Sequence, residues 1–132
     1  MQLSEDELES FVCGRCMYLA AALHRLTGWP IEASTDPACA VYAETVSHAW
    51  CRNSETDDCI DIDGPYPIER SSWLFPRNRH VTNLDEAALL ALVRLNSPDL
   101  TLAEWNADVE LALPVARDYV LPLVRAGAKT FN

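Results

Sequence analysis

Apolar residues recur at helical spacing through Cys16–Thr27, at Leu19, Ala20, Leu23 and Leu26, with good helix formers between them. Gly28 then supplies a left-handed stop. Upstream, Ser4 and Glu7 form a capping box for a short helix from Glu5 to about Val12, with Leu8, Phe11 and Val12 turned inward and Gly14 as the break. After Gly28 the pattern changes period. Trp29–Ala33 reads as a short extended segment and Ser34–Pro37 as a turn. Ala40–Arg52 is rich in β-branched and aromatic residues, with a strand predicted from about Thr45 to Cys51. Alternation there places Val46, His48 and Trp50 on one face and Ser47, Ala49 and Cys51 on the other. Asn53–Asp57 turns the chain into a second strand, Asp58–Asp63, closed by Gly64-Pro65, in which Ile60 and Ile62 share one face and Cys59, Asp61 and Asp63 the opposite one. These two strands make a hairpin.

Tyr66–Arg79 reads as a loop, with one short strand near Arg79–Thr82. The remainder is helical: Asn83 with Glu86 predicts a box for Leu84–Leu95, Thr101 with Glu104 one for Thr101–Leu111, and Pro114 opens a last helix ending near Gly127. Pro122 is expected to kink that helix or end it early. The fold class that follows is α+β in a single domain, 1–132: a core over about residues 4–82, in which a cysteine-bearing helix packs on a small antiparallel sheet, and a helical part over about 83–127.

Composition narrows the function. The chain has 132 residues, 49% of them hydrophobic, with no apolar run near the roughly 20 residues of a membrane span. Its first residues are acidic where a signal peptide would be basic and then apolar, so a cytoplasmic location is expected. There the five cysteines would be free, metal-bound or catalytic. A net charge of −10 argues against nucleic acid, whose binding releases counterions to Lys and Arg, and favours a basic partner.

Three readings of the chemistry stand. Cys16 at a helix N-terminus is placed to carry a thiolate, helped by the dipole and by Arg15, while His48 and Asp61 on paired strands could supply a base and its orienting carboxylate. Asp63, on the same strand face but nearer the turn, is the runner-up carboxylate. Alternatively, Cys13-x-x-Cys16 with His48-x-x-Cys51, and Cys39 and Cys59 nearby, has zinc-ligand residue types, although a regular strand sends His48 and Cys51 to opposite faces. Thirdly, the charge alone would suit a non-catalytic acidic protein that binds a basic partner.

Gly14-x-Cys16, Ala20-Ala21, Leu23, Arg25, Gly28-x-Pro30, Ala33, His48-Ala49-Trp50 and Asp61-x-Asp63 together resemble the core of the transglutaminase-like proteins, within the wider papain-like fold. The resemblance covers about residues 11–64. It implies Cys16 as nucleophile, His48 as general base and acid, Asp61 as orienting residue, and a cofactor-free thiol hydrolase or acyl transferase working through a thioester on an amide or related acyl bond; the acidic surface points to a basic protein or peptide as substrate. Cys13-Gly-Arg-Cys16 also resembles the start of papain proteases, but the partner residues come too soon in the chain for them.

Overall fold

The computed structural model describes residues 1–37 and 45–130. It is an α+β structure in which a five-stranded antiparallel sheet, ordered β4-β3-β2-β1-β5, carries helices on its surface. The strands are β1 (Ile31–Asp36), β2 (Thr45–Arg52), β3 (Cys59–Asp61), β4 (Gly64–Tyr66) and β5 (Arg79–Leu84). The helices are α1 (Glu5–Cys13), α2 (Cys16–Thr27), α3 (Glu69–Leu74), α4 (Glu86–Arg94), α5 (Leu102–Val115) and α6 (Leu121–Thr130).

Helix α2 is the centre of the molecule. It lies on β1 and β2 and is covered on its other side by α5, so its burial spreads beyond one stripe: Leu19, Ala20, Ala21, Ala22 and Leu23 are all within 1% of complete burial. The three alanines let the neighbouring layers approach closely. Leu26, expected in the stripe, is exposed instead, on a groove it shares with Leu121 and Val124 of α6, and Gly28 (φ +74) ends the helix with a bond to the His24 carbonyl. Helix α1 has its Ser4–Glu7 box and buries Phe11, whereas Val12 is exposed beside the break at Gly14.

The predicted hairpin is present, with Cys51 opposite Ile60 and Arg52 opposite Cys59. The faces of β2 are split as expected except at its start. Opposite Ser34 and Thr35 stand His48 and Val46, leaving Ser47 as a bulge residue. The extra residue resets the alternation, so Val46 packs against the main core with Ala49 and Cys51, while His48 and Trp50 keep the other face. Ile60 and Ile62 join the main core, and Cys59 packs with Trp50 and Tyr66 in a second cluster across the sheet.

The C-terminal helices depart from the sequence reading in two ways. Asp85, not Asn83, caps α4, accepting from the Ala88 N–H; Asn83 lies within β5 in the left-handed region (φ +58), and β5 runs on to Leu84. Pro114 does not begin a helix but sits within α5, and neither it nor Pro122 stops the chain. A π turn at Ala116–Val120 lies between the prolines and joins α5 to α6, supplying the i→i+5 spacing that absorbs a register defect. The Thr101–Glu104 box is present. Arg25 fastens these layers, pairing with both Glu86 oxygens at 2.7 Å and donating to Asn106 at 2.9 Å.

Candidate active site

Cys16 is the first residue of α2, reached through the bend at Gly14 and Arg15. It is 4% exposed. Unlike α1, α4 and α5, whose first N–H groups receive a side-chain oxygen, α2 has no side-chain cap at its N-terminus. Its first N–H groups are therefore left to act on whatever reaches the sulfur, which is the arrangement that favours negative charge.

His48 comes from β2 beside the bulge at Ser47, on the face it shares with Trp50. Its ring lies between Trp50, at a centroid distance of 5.8 Å, and Phe75, at 6.4 Å, both nearly parallel to it. Nε2 pairs with Asp61 Oδ2 at 2.6 Å, and Cys16 lies close enough to the ring to act on its protonation. Since Nε2 is committed to Asp61, Nδ1 is the nitrogen that remains for sulfur. Burial alone would lower the imidazole pKa, but the hydrogen bonds to Asp61 and Cys16 and the charge on both raise it from 6.5 to about 9. That direction favours the protonated ring.

Asp61 ends β3 and is 5% exposed. Its carboxylate is saturated with donors: His48 Nε2 and the Tyr66 hydroxyl, at 2.7 Å, share Oδ2, while the Asp63 N–H donates to Oδ1 at 2.9 Å. Between the two aspartates the chain turns at Ile62-Asp63, and Gly64 (φ +85) pairs back on Asp61. That turn carries the Asp63 carboxylate away from His48 to pair with Arg70 at 2.6 Å. A cleft of about 70 Å³ opens on His48 and Asp61, lined also by Val12, Asp63, Tyr66, Arg70, Leu74 and Phe75.

The structure therefore brings Cys16, His48 and Asp61 together and keeps the Asp63 carboxylate apart from them. It does not gather the alternative zinc ligands. Cys51 is fully buried on the opposite face of β2, with its Sγ 3.2 Å from the Ala20 carbonyl oxygen, and burial pushes its thiol pKa far up. Cys59 is also buried, its thiol raised to about 12 chiefly by loss of solvent. Among the described residues no group of three or more His, Cys, Asp or Glu side chains is placed to hold a metal ion. The Cys13 side chain and Cys39 lie outside the described residues. Nor is any helix among them long and apolar enough to cross a membrane.

Two members of the site escape a reading of the sequence. Tyr66 had a usable signal: counted back across the Ile62-Asp63 turn, it faces Cys59 and so falls on the face of Asp61. Phe75 had none, because it follows α3 in a stretch without periodicity. No family model, curated protein or solved structure matches this chain.

Proposed function

We propose that the chain is a cofactor-free thiol hydrolase or acyl transferase of the transglutaminase-like, papain-like kind, acting on an amide or related acyl bond through a thioester. One observation carries the reading: a cysteine at an uncapped helix N-terminus shares a buried histidine with a carboxylate 2.6 Å from that histidine. Cys16 Sγ attacks the carbonyl carbon as thiolate, forming a C–S bond while the carbonyl π pair moves onto oxygen. The Cys16 N–H at the helix end is a donor for that oxyanion. Collapse breaks the bond to the leaving nitrogen, which takes the proton of the His48 imidazolium, and the acyl group remains as a thioester. Water or an amine then attacks, His48 receives its proton, and the C–S bond breaks to restore the starting pair. The nucleophile of the second step decides between hydrolysis and transfer. The net charge of −10 favours a basic protein or peptide as the acyl donor.

The test is brief iodoacetamide treatment at neutral pH with peptide mapping. Cys16 is expected to react faster than the buried, proton-retaining Cys51 and Cys59, and His48→Ala to slow it. Equal labelling of Cys16 and Cys59 in the folded protein, or a Cys16 rate indifferent to His48→Ala, would remove the activated nucleophile.

A further inference from the structure

We propose that Tyr66 is a positioning residue of this site, holding the Asp61 carboxylate in one plane and sharing its Oδ2 with His48, so that Asp61 orients the imidazole without monopolising its proton. The inference rests on the thiol reading above. Asp61 Oδ1 is fixed by one donor, the Asp63 N–H at 2.9 Å. With that bond alone the carboxylate could still rock about Cβ–Cγ, carrying Oδ2 and the His48 ring with it. The Tyr66 hydroxyl at 2.7 Å closes this freedom, and because it converges on the oxygen that His48 Nε2 uses at 2.6 Å, the two donors divide one acceptor.

Tyr66 is itself held. Only 9% of it is exposed, and the Arg70 guanidinium lies over its ring, 4.6 Å from the centroid. Arg70 in turn is anchored by the Asp63 carboxylate at 2.6 Å. The contacts thus form a closed circuit, Asp61 to Tyr66 to Arg70 to Asp63 and back to Asp61 through the Asp63 N–H, built within one hairpin and the start of α3. The charged and titratable groups around His48 come from every neighbouring element: Cys16 of α2, Asp61 of β3, Tyr66 of β4, Asp63 of the turn, Arg70 of α3 and, across Trp50, His80 of β5 beside Glu32 of β1. Tyr66 is the neutral one among them that reaches the carboxylate, which is why its hydroxyl can tune the Asp61–His48 bond without adding charge.

Tyr66→Phe keeps the ring and removes the shared donor. In protein labelled with ¹⁵N-histidine, the His48 Nε2–H proton resonance is expected to move downfield in Tyr66→Phe, because Oδ2 then serves a single donor and that bond strengthens. Cys16 alkylation by iodoacetamide is expected to rise about fivefold, the value of one hydrogen bond of ordinary net strength, since a stronger Asp61–His48 bond stabilises the imidazolium that faces the thiolate. Adding Tyr66→Phe to Asp61→Asn should change the rate little, since the partner through which Tyr66 acts is already gone. An unmoved resonance, a slower Cys16, or the same fivefold change in both backgrounds would overturn the proposal while leaving the triad standing. A Cys16 rate indifferent to His48→Ala would instead sink the reading beneath it. Biosynthetic 3-fluorotyrosine gives the same information if Tyr66→Phe is too unstable to assay: a more acidic phenol donates more strongly to Oδ2, and the His48 proton must shift upfield.

Discussion

Replacing Asp61 by asparagine changes one oxygen to NH₂ and leaves the shape intact, so its effect can be worked from the three donors around it. His48 Nε2 and the Tyr66 hydroxyl point at Oδ2, and the Asp63 N–H points at Oδ1. Asparagine offers one acceptor oxygen. If that oxygen faces Asp63, the new NH₂ opposes both His48 and Tyr66; if it is flipped, the NH₂ opposes the Asp63 N–H. Either way a buried donor loses its partner, at a cost of about 1–3 kcal/mol in stability. The bond to His48 also loses its ionic character, worth roughly 1.5 kcal/mol, or about tenfold in the Cys16 alkylation rate at neutral pH. Asp63→Asn is the matched control. Its carboxylate is half-exposed and pairs with the half-exposed Arg70, a kind of pair worth about 1 kcal/mol at most, and its N–H to Asp61 survives the substitution. The expected effect there is about twofold or less. The assay is the second-order rate of iodoacetamide incorporation at Cys16 in the three proteins, with circular dichroism to confirm folding. If Asp63→Asn slows alkylation as much as Asp61→Asn does, the carboxylate assignment and the donor count behind it are wrong.

Three further outcomes follow from other parts of the molecule. Glu86 has its carboxyl held below the usual range, first by hydrogen bonds from Arg25 and, against the opposing effect of burial, by Trp105 and the Arg25 charge; because a lowered folded pKa stabilises above the unfolded value near 4.5 and is lost as pH falls through the folded one, acid unfolding monitored by tryptophan fluorescence should show a shallower pH dependence below 4.5 in Glu86→Gln. Gly64→Ala forces a side chain into φ +85, costing about 1–2 kcal/mol, and should lower Tm by several degrees; an unchanged Tm would show that the turn relaxes freely. Elemental analysis should find no stoichiometric zinc, with Tm unaffected by chelator, whereas one equivalent of zinc and unfolding in chelator would transfer the site to a ligand set built on Cys13 and Cys16.

What could be read from the sequence was whatever depends on neighbours a few residues apart. The Ser4–Glu7 and Thr101–Glu104 boxes, the Gly28 stop and the β2–β3 hairpin are fixed by local hydrogen bonding and period, and all are present. The Asn83–Glu86 spacing reads as a capping box, but β5 extends through Asn83 for reasons of sheet pairing that no local rule contains, and Asp85 caps the helix instead. Pro114 and Pro122 were read as punctuation; the π turn between them depends on how the long C-terminal helix lies across α2 and β4, which is a tertiary matter. At the site, Cys16, His48 and Asp61 each carried a chemical signature. The bulge at Ser47, which turns Val46 into the core, carried none.

The two arms of the site are assembled over very different spans of chain. Asp61, Asp63, Tyr66 and Arg70 lie in one hairpin and the turn of helix that follows it, so the carboxylate and its supports can form as a local unit on the timescale of hairpin closure. Cys16 meets His48 only when α2 docks on β2, a contact that must close the long intervening loop. Iodoacetamide labelling of Cys16 would therefore report on the docking of α2 against β2, a long-range event that the local carboxylate unit does not require.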